Sequence, residues 1–295
     1  MHHRHQNVNS SEFKCPMHGG RALINHGLFG PSSISWKMNA DVSMLIAAPA
    51  AALLQMLHPD VVRIIEKNHR YYHDPIGRAK STALYAQTTV YGDTEMAAQA
   101  SQALKSLHDS LGAKDPVTGK VYTASEPKLL LWVQNTLTWM ILRTAEQYGP
   151  QLNAKEREQF IEEQKIAGEL VGLKKDMLPS TYAELEDYIF QMTPQLKLTE
   201  DSIHFRDFIL KRPFPKNFSQ LIEHLFMQTI KRIQLPVHKK LYDIETSGVS
   251  DMFVENLSAL VIKTLRYFYP AEKLIPKRIE ELTVESYNDK KIKKL

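Results

Sequence analysis

The chain has 295 residues, 43% of them apolar, with 37 basic and 33 acidic side chains giving a formal net charge of +4. That length and apolar content suffice for a sizeable buried core and exclude global disorder. The charges are too evenly balanced, and too evenly spread, to argue for nucleic acid as a partner. A single cysteine, Cys15, excludes an intramolecular disulfide framework and fits a reducing, cytoplasmic compartment.

In chain order, residues 1–22 read as a flexible arm rich in histidine, with His2, His3, His5 and His18 near Cys15. Cys15 and His18 have zinc-compatible spacing, but a structural zinc site needs four ligands and no local side chains supply the other two. The arm also lacks the apolar core of a secretory signal. The longest apolar run, Met44–Leu57, is broken by Pro49 and Gln55. It falls short of the roughly 20 residues that cross a bilayer, so it reads as a buried core segment and no membrane span is expected.

Beyond residue 40 the pattern is helical. Asp74-Pro75 should open a helix that runs through Tyr91 and stops at Gly92. Residues 95–111 place Ala97, Ala100, Leu104, Leu107, His108 and Leu111 on one stripe that ends before Gly112. Ser125 is positioned to cap a helix over 126–147. Asn153 with Glu156, and Thr181 with Glu184, are spaced as capping boxes. Further helical periods cover about 217–233 and 250–268, with Pro213 and Pro215 in a loop between elements. No convincing two-residue alternation appears, so strands should be few. Residues 23–285 are expected to form one helical domain, and 286–295, with its run Lys290-Lys291-Ile292-Lys293-Lys294, a solvated basic tail.

Nucleotide-binding loops, Walker motifs, H-E-x-x-H, G-x-S-x-G and C-x-x-C are all missing from the sequence. A helical protein can instead present a histidine from an apolar face to a haem, and His108, between Leu107 and Leu111, suits that role. From the pattern alone a packed or hydrogen-bonded core histidine is the better reading. Arg78 and Thr82 share a helix face that continues through Tyr85 and Thr89; they could address a carboxylate or an oxygen species, or form an ion pair and a backbone hydrogen bond. His58, before Pro59, is a second candidate ligand, and also what a helix C-terminus attracts. His69 and His73, four apart, lack an acidic partner and read with Tyr71 and Tyr72 as a polar rim.

The order of short motifs says more than any one of them. Gly27-Leu28-Phe29-Gly30-Pro31 is followed by Ser35-Trp36, the run ending Leu57-His58-Pro59, Gly77-Arg78 through Thr82, and Thr89-Val90-Tyr91-Gly92. Then come His108, Tyr122-Thr123-Ala124, Pro127, Leu130-Leu131-Trp132-Val133 and Leu178-Pro179. This succession, over residues 23 to about 200, resembles the bacterial branch of the latex-clearing-protein and MpaB-type oxygenase superfamily. The resemblance implies an all-α, globin-like fold enclosing one non-covalent haem b, with His108 as proximal iron ligand and Arg78 and Thr82 near the distal face. It also implies an oxidoreductase that uses dioxygen on an apolar substrate, isoprenoid olefins being the substrates of its best-known members. The rival reading is a haem sensor or carrier without turnover. Two departures bear on the distal side: latex-clearing enzymes carry a lysine directly before the threonine, where this chain has Ser81 with Lys80 preceding it. Many relatives also read W-V-H where this chain has Trp132-Val133-Gln134.

Overall fold

The computed structural model describes residues 27–67, 73–115, 118–211, 220–244, 248–271 and 273–275. The arm with Cys15 and His18, the rim residues His69, Tyr71 and Tyr72, the two loop prolines and the basic tail lie outside them. Helices dominate: α1 (Ile34–Ala40), α2 (Met44–Gln55), α3 (Pro59–Lys67), α4 (Pro75–Tyr91), α5 (Thr94–Ser110), α6 (Pro127–Tyr148), α7 (Ala154–Val171), α8 (Tyr182–Met192), α9 (Glu200–Lys211), α10 (Gln220–Ile233), α11 (Pro236–Leu241) and α12 (Gly248–Phe268). The described residues also contain one antiparallel hairpin, β1 (Gly112–Lys114) with β2 (Val121–Thr123), which pairs Ala113 with Tyr122.

Helix α2 lies at the centre, as the apolar run predicted, with Ile46, Ala47, Ala50, Ala51, Leu53 and Leu54 buried. Its small side chains allow close approach to α6, the most extensive helix–helix contact among the described residues. Buried helix ends leave carbonyls that need donors, and other elements supply them here. The Tyr242 hydroxyl donates to the Leu53 carbonyl (2.7 Å), the Trp132 indole to Gln55 (3.1 Å) and the Ser202 hydroxyl to Met56 (2.9 Å). The Lys197 amide donates to the Leu57 carbonyl (2.9 Å) and the Gln234 amide to Ala50 (2.8 Å). Within α6 the buried hydroxyls of Thr136, Thr138 and Thr144 return to carbonyls four residues back, so a polar stripe passes through the core with its hydroxyls paired.

Among the described residues no single helix is long and apolar enough to cross a membrane; α1 and α2 together are apolar but meet at a 95° bend. Helix α1 is fixed at its start by Glu163 of α7, which accepts from the Ile34 and Ser35 amides (3.0 and 2.7 Å). It is fixed at its end by Asp41, paired with Arg266 of α12 at 2.6 Å.

Local signals mostly hold. Asp74 accepts from the Gly77 amide at the start of α4, Gly92 follows its end, and Asn153 with Glu156 forms a complete capping box. Two expectations need correction. Ser125 caps nothing, because its hydroxyl donates to Asp109, and α6 starts with Pro127 behind an uncapped Glu126. Thr181 accepts from the Glu184 amide, but the Glu184 carboxylate accepts from Ser180 rather than from Thr181, so that box is only half formed. The helical stripe ends before Gly112 as expected, and Gly112 opens β1; the strands are three residues each, too short for alternation to register.

The satisfied α2 end predicts a measurable cost. Tyr242→Phe removes the hydroxyl that donates to the Leu53 carbonyl while leaving the ring, and should destabilise the protein by about 1–3 kcal/mol. Urea unfolding that shows a lower midpoint at unchanged slope would match this outcome.

Candidate functional site

The three residues singled out by sequence sit on one helical hairpin. Helices α4 and α5 are joined only through Gly92 and Asp93, and Asp93 caps α5 by accepting from the Met96 amide. Near this turn the hairpin is firmly held. Val90 and Tyr91 are buried, Tyr91 donates to the Trp36 carbonyl at 2.8 Å, and their rings meet edge-on at 5.0 Å. Gly27, at φ +68°, presses on the same turn: a β-carbon there would stand 2.1 Å from the Gly92 carbonyl oxygen. On the α5 side, buried Ala97 and Ser101 face α7, and Ser101 donates to the Leu170 carbonyl.

Away from the turn the packing falls off. Residues 79–84 of α4 are all exposed, more than one full turn. Tyr85 is hydrogen-bonded to Ser101 across the hairpin, and burial raises its phenol pKa to about 12. The same register places Arg78 opposite His108. At His108, burial first and the nearby Arg78 charge second push the imidazole pKa down, with Asp109 opposing them. The ring is therefore neutral at physiological pH and keeps a lone pair free for donation. Its Nδ1 is buried without a hydrogen-bond partner. Thr82 lies one turn beyond Arg78 and is exposed; its hydroxyl donates to the Arg78 carbonyl at 3.1 Å. Arg78 and His108 are thus brought together, and Thr82 flanks them with its proton committed to the helix. Exposed Leu84 and Leu107 add apolar surface on the two helices.

The other candidates have structural work. His58 does not end a helix but precedes α3: its carbonyl accepts from Val62 and its Nδ1 from the Asp60 amide at 3.3 Å. Burial lowers its pKa, and its ring lies 6.1 Å from that of Trp132. Gln134, at the W-V-H position, bridges α6 to the Gln164 carbonyl of α7 at 3.3 Å. Ser81, at the lysine position, donates to the Gly77 carbonyl at 2.8 Å, and Lys80 is exposed. Among the described residues no three His, Cys, Asp or Glu side chains converge as they would on a bare metal ion.

Two groups escaped sequence reasoning. The Tyr85–Ser101 link was available in principle, since a tight turn between two helices fixes which residues face each other. His238 gave no signal: it lies in a six-residue helix, yet is fully buried against Trp139 with both ring nitrogens unpartnered.

These histidines make a pH prediction. Burial, then the Arg143 charge, pushes His238 down to about 4. Unfolded, it titrates near 6.5, so the unfolded chain takes up the proton first; stability is full at neutral pH and is lost as pH falls through that window. At 1.36 kcal/mol per pH unit the whole displacement is worth about 3 kcal/mol. Denaturation midpoints of His238→Leu, measured at neutral pH and at about pH 5, should show a smaller acid-induced drop than those of the parent chain.

A family model described as ER-bound oxygenase mpaB/B'/rubber oxygenase, catalytic domain, matches residues 36–261, more than half of the chain and all of the hairpin. No curated protein and no solved structure matches significantly.

Proposed function

The chain belongs to the mpaB and rubber-oxygenase catalytic-domain family, and on that premise we propose a haem b-dependent oxygenase acting with dioxygen on an apolar, olefinic substrate of isoprenoid type. The observation that carries the reading is the half-buried, neutral imidazole of His108, whose Nδ1 is buried without a hydrogen-bond partner, facing Arg78 on an under-packed hairpin. A haem brings four ring nitrogens of its own and asks the protein for one axial donor. That demand suits one neutral histidine better than a bare ion would, since an ion needs three or four protein ligands in convergence. The residues present fit the group.

When bound, haem supplies an iron centre able to activate dioxygen, which no side chain can do. His108 would hold the iron through a ring-nitrogen lone pair, and its depressed pKa keeps that pair available in mildly acidic solution, where an ordinary imidazole begins to protonate. Arg78 carries a permanent charge and up to five N–H donors, suited to a haem carboxylate or to negative charge building on oxygen as it is reduced. Thr82 adds a hydroxyl at helical spacing, free to act once it turns from the Arg78 carbonyl. Leu84 and Leu107, costly to leave in water, would contact the porphyrin or the hydrocarbon substrate.

Purified protein should bind haem b with a Soret band, and the haem should extract into acidified organic solvent because no C-x-x-C-H attachment motif is present. His108→Ala should lose most of that haem while staying folded, whereas His58→Ala should keep it. The reverse result would move the ligand to His58, and a colourless protein indifferent to added haem would end the proposal.

Arg78→Ala and Thr82→Ala should retain haem but shorten the lifetime of the oxygenated form, each by the loss of a hydrogen bond worth about 1.5–3 kcal/mol to a charged acceptor. Stopped-flow spectra with and without an isoprenoid olefin would check both. Decay that ignores the olefin in the parent chain would favour a sensor or carrier.

A further inference from the structure

One end of the α10–α12 pair carries apolar surface that the proposed chemistry does not use. Two contacts fix the register of these antiparallel helices: Thr229 donates to Ser258 at 2.9 Å, and Arg232 pairs with Glu255 at 3.0 Å. Leu225 and Ile262 are buried on the facing sides, as that register requires. Continued along the helices, it sets exposed Leu221 and Ile222, at the start of α10, beside Leu265 near the end of α12. Immediately beyond stand Tyr267, Phe268 and Tyr269, which are 81%, 66% and 55% exposed. The Tyr267 and Phe268 rings touch each other edge-on at 5.5 Å.

This end is rigidly mounted. Arg266, within the aromatic run, donates to the Asp41 carboxylate and to the Tyr148 carbonyl, tying α12 to the α1–α2 corner and to the end of α6. Exposure here belongs to a fixed tip. Successive helical residues point about 100° apart, so three in a row sweep roughly 200° around the axis. A partner helix covers a single stripe of about 100°. A medium that closes around the tip can cover all three.

The surrounding charge selects the medium. Lys263 lies one turn before Tyr267, Lys273 four residues after Tyr269, and Lys37 one turn before Asp41; all three are exposed. Of the carboxylates in 252–275, Glu255 is only partly exposed and paired with Arg232, and Glu272 lies outside the described residues. Asp41 is buried under Arg266. Aromatic side chains ringed by lysines match the boundary of an anionic bilayer, where rings enter the acyl edge and long cationic stems keep their charge at the headgroups.

We propose that the tip formed by Tyr267, Phe268 and Tyr269, with Leu221 and Ile222 beside it, docks the protein peripherally on anionic lipid surfaces. Apolar burial supplies the grip, and the lysines supply attraction that salt screens. The docking is independent of haem, and its test does not depend on activity.

The full chain should float with vesicles of phosphatidylcholine and phosphatidylserine, much less with phosphatidylcholine alone, and should detach as salt rises. A variant in which Tyr267, Phe268 and Tyr269 are all serine should keep the parent melting temperature, because these side chains are exposed, yet bind the anionic vesicles roughly tenfold more weakly or worse. Val121→Ser, which removes an equally exposed apolar side chain on β2, should bind as the parent does. Phe268→Trp should give indole fluorescence quenched by brominated lipid. Absence of binding to anionic vesicles, undiminished binding of the triple variant, or an unquenched Trp would each overturn the proposal. So would sedimentation showing that the parent self-associates through this tip and the triple variant does not, since a second copy would then cover it.

Discussion

The carbonyl end of α2 is the constraint around which the molecule is arranged. A helix buried at its C-terminus leaves acceptors that water cannot reach, and each one unsatisfied costs more than an average hydrogen bond returns. Here the donors come from α6, α9, α11's end and the segment leading into α9, through Trp132, Ser202, Tyr242 and Lys197. Every one of these elements must therefore sit within hydrogen-bond reach of Ala50–Leu57. The apolar packing of Leu53, Leu54 and Leu57 supplies most of the driving force, but it is non-directional. The polar contacts decide which arrangement of helices is satisfied.

Against that core the α4–α5 hairpin is asymmetric. Its turn is held by Tyr91, Trp36 and Gly27, and its middle by Tyr85 and Ser101. Its open end is half bare, and it is there that Arg78 and His108 face each other. Local consistency elsewhere makes this under-packing informative, because exposed Leu84 and Leu107 stand near a half-buried imidazole whose Nδ1 has no hydrogen-bond partner.

Much of this was legible in the sequence because it is locally encoded. The bounds of α4 follow from Asp74, Pro75 and Gly92, and those of α7 from the Asn153–Glu156 box, all interactions spanning a few residues. His108 stood out because it ends an apolar stripe; its closeness to Arg78 emerges only from the folded hairpin. What stayed hidden depends on distant partners. Ser125 looks like a cap until Asp109, sixteen residues earlier, takes its hydroxyl. His58 looks like the end of α2, but Met56 and Leu57 intervene and it serves α3 instead. His238 is buried by helices more than ninety residues away, and no local pattern marks it. The orientation of Thr82 is likewise a rotamer choice, made against the backbone and invisible to spacing.

The hairpin anchored at one end is also a lever. From Tyr91 to Arg78 the axis of α4 is about 20 Å long at 1.5 Å per residue. A rotation of one degree at the clamped turn therefore carries Arg78 through about 0.3 Å, and a few degrees through the width of a hydrogen bond's tolerance. Residues at the turn, Gly27 and Trp36 among them, hold a mechanical advantage over chemistry they never touch. A small rocking of the hairpin changes the distance between guanidinium and imidazole while the helices around α2 stay where their carbonyls require them.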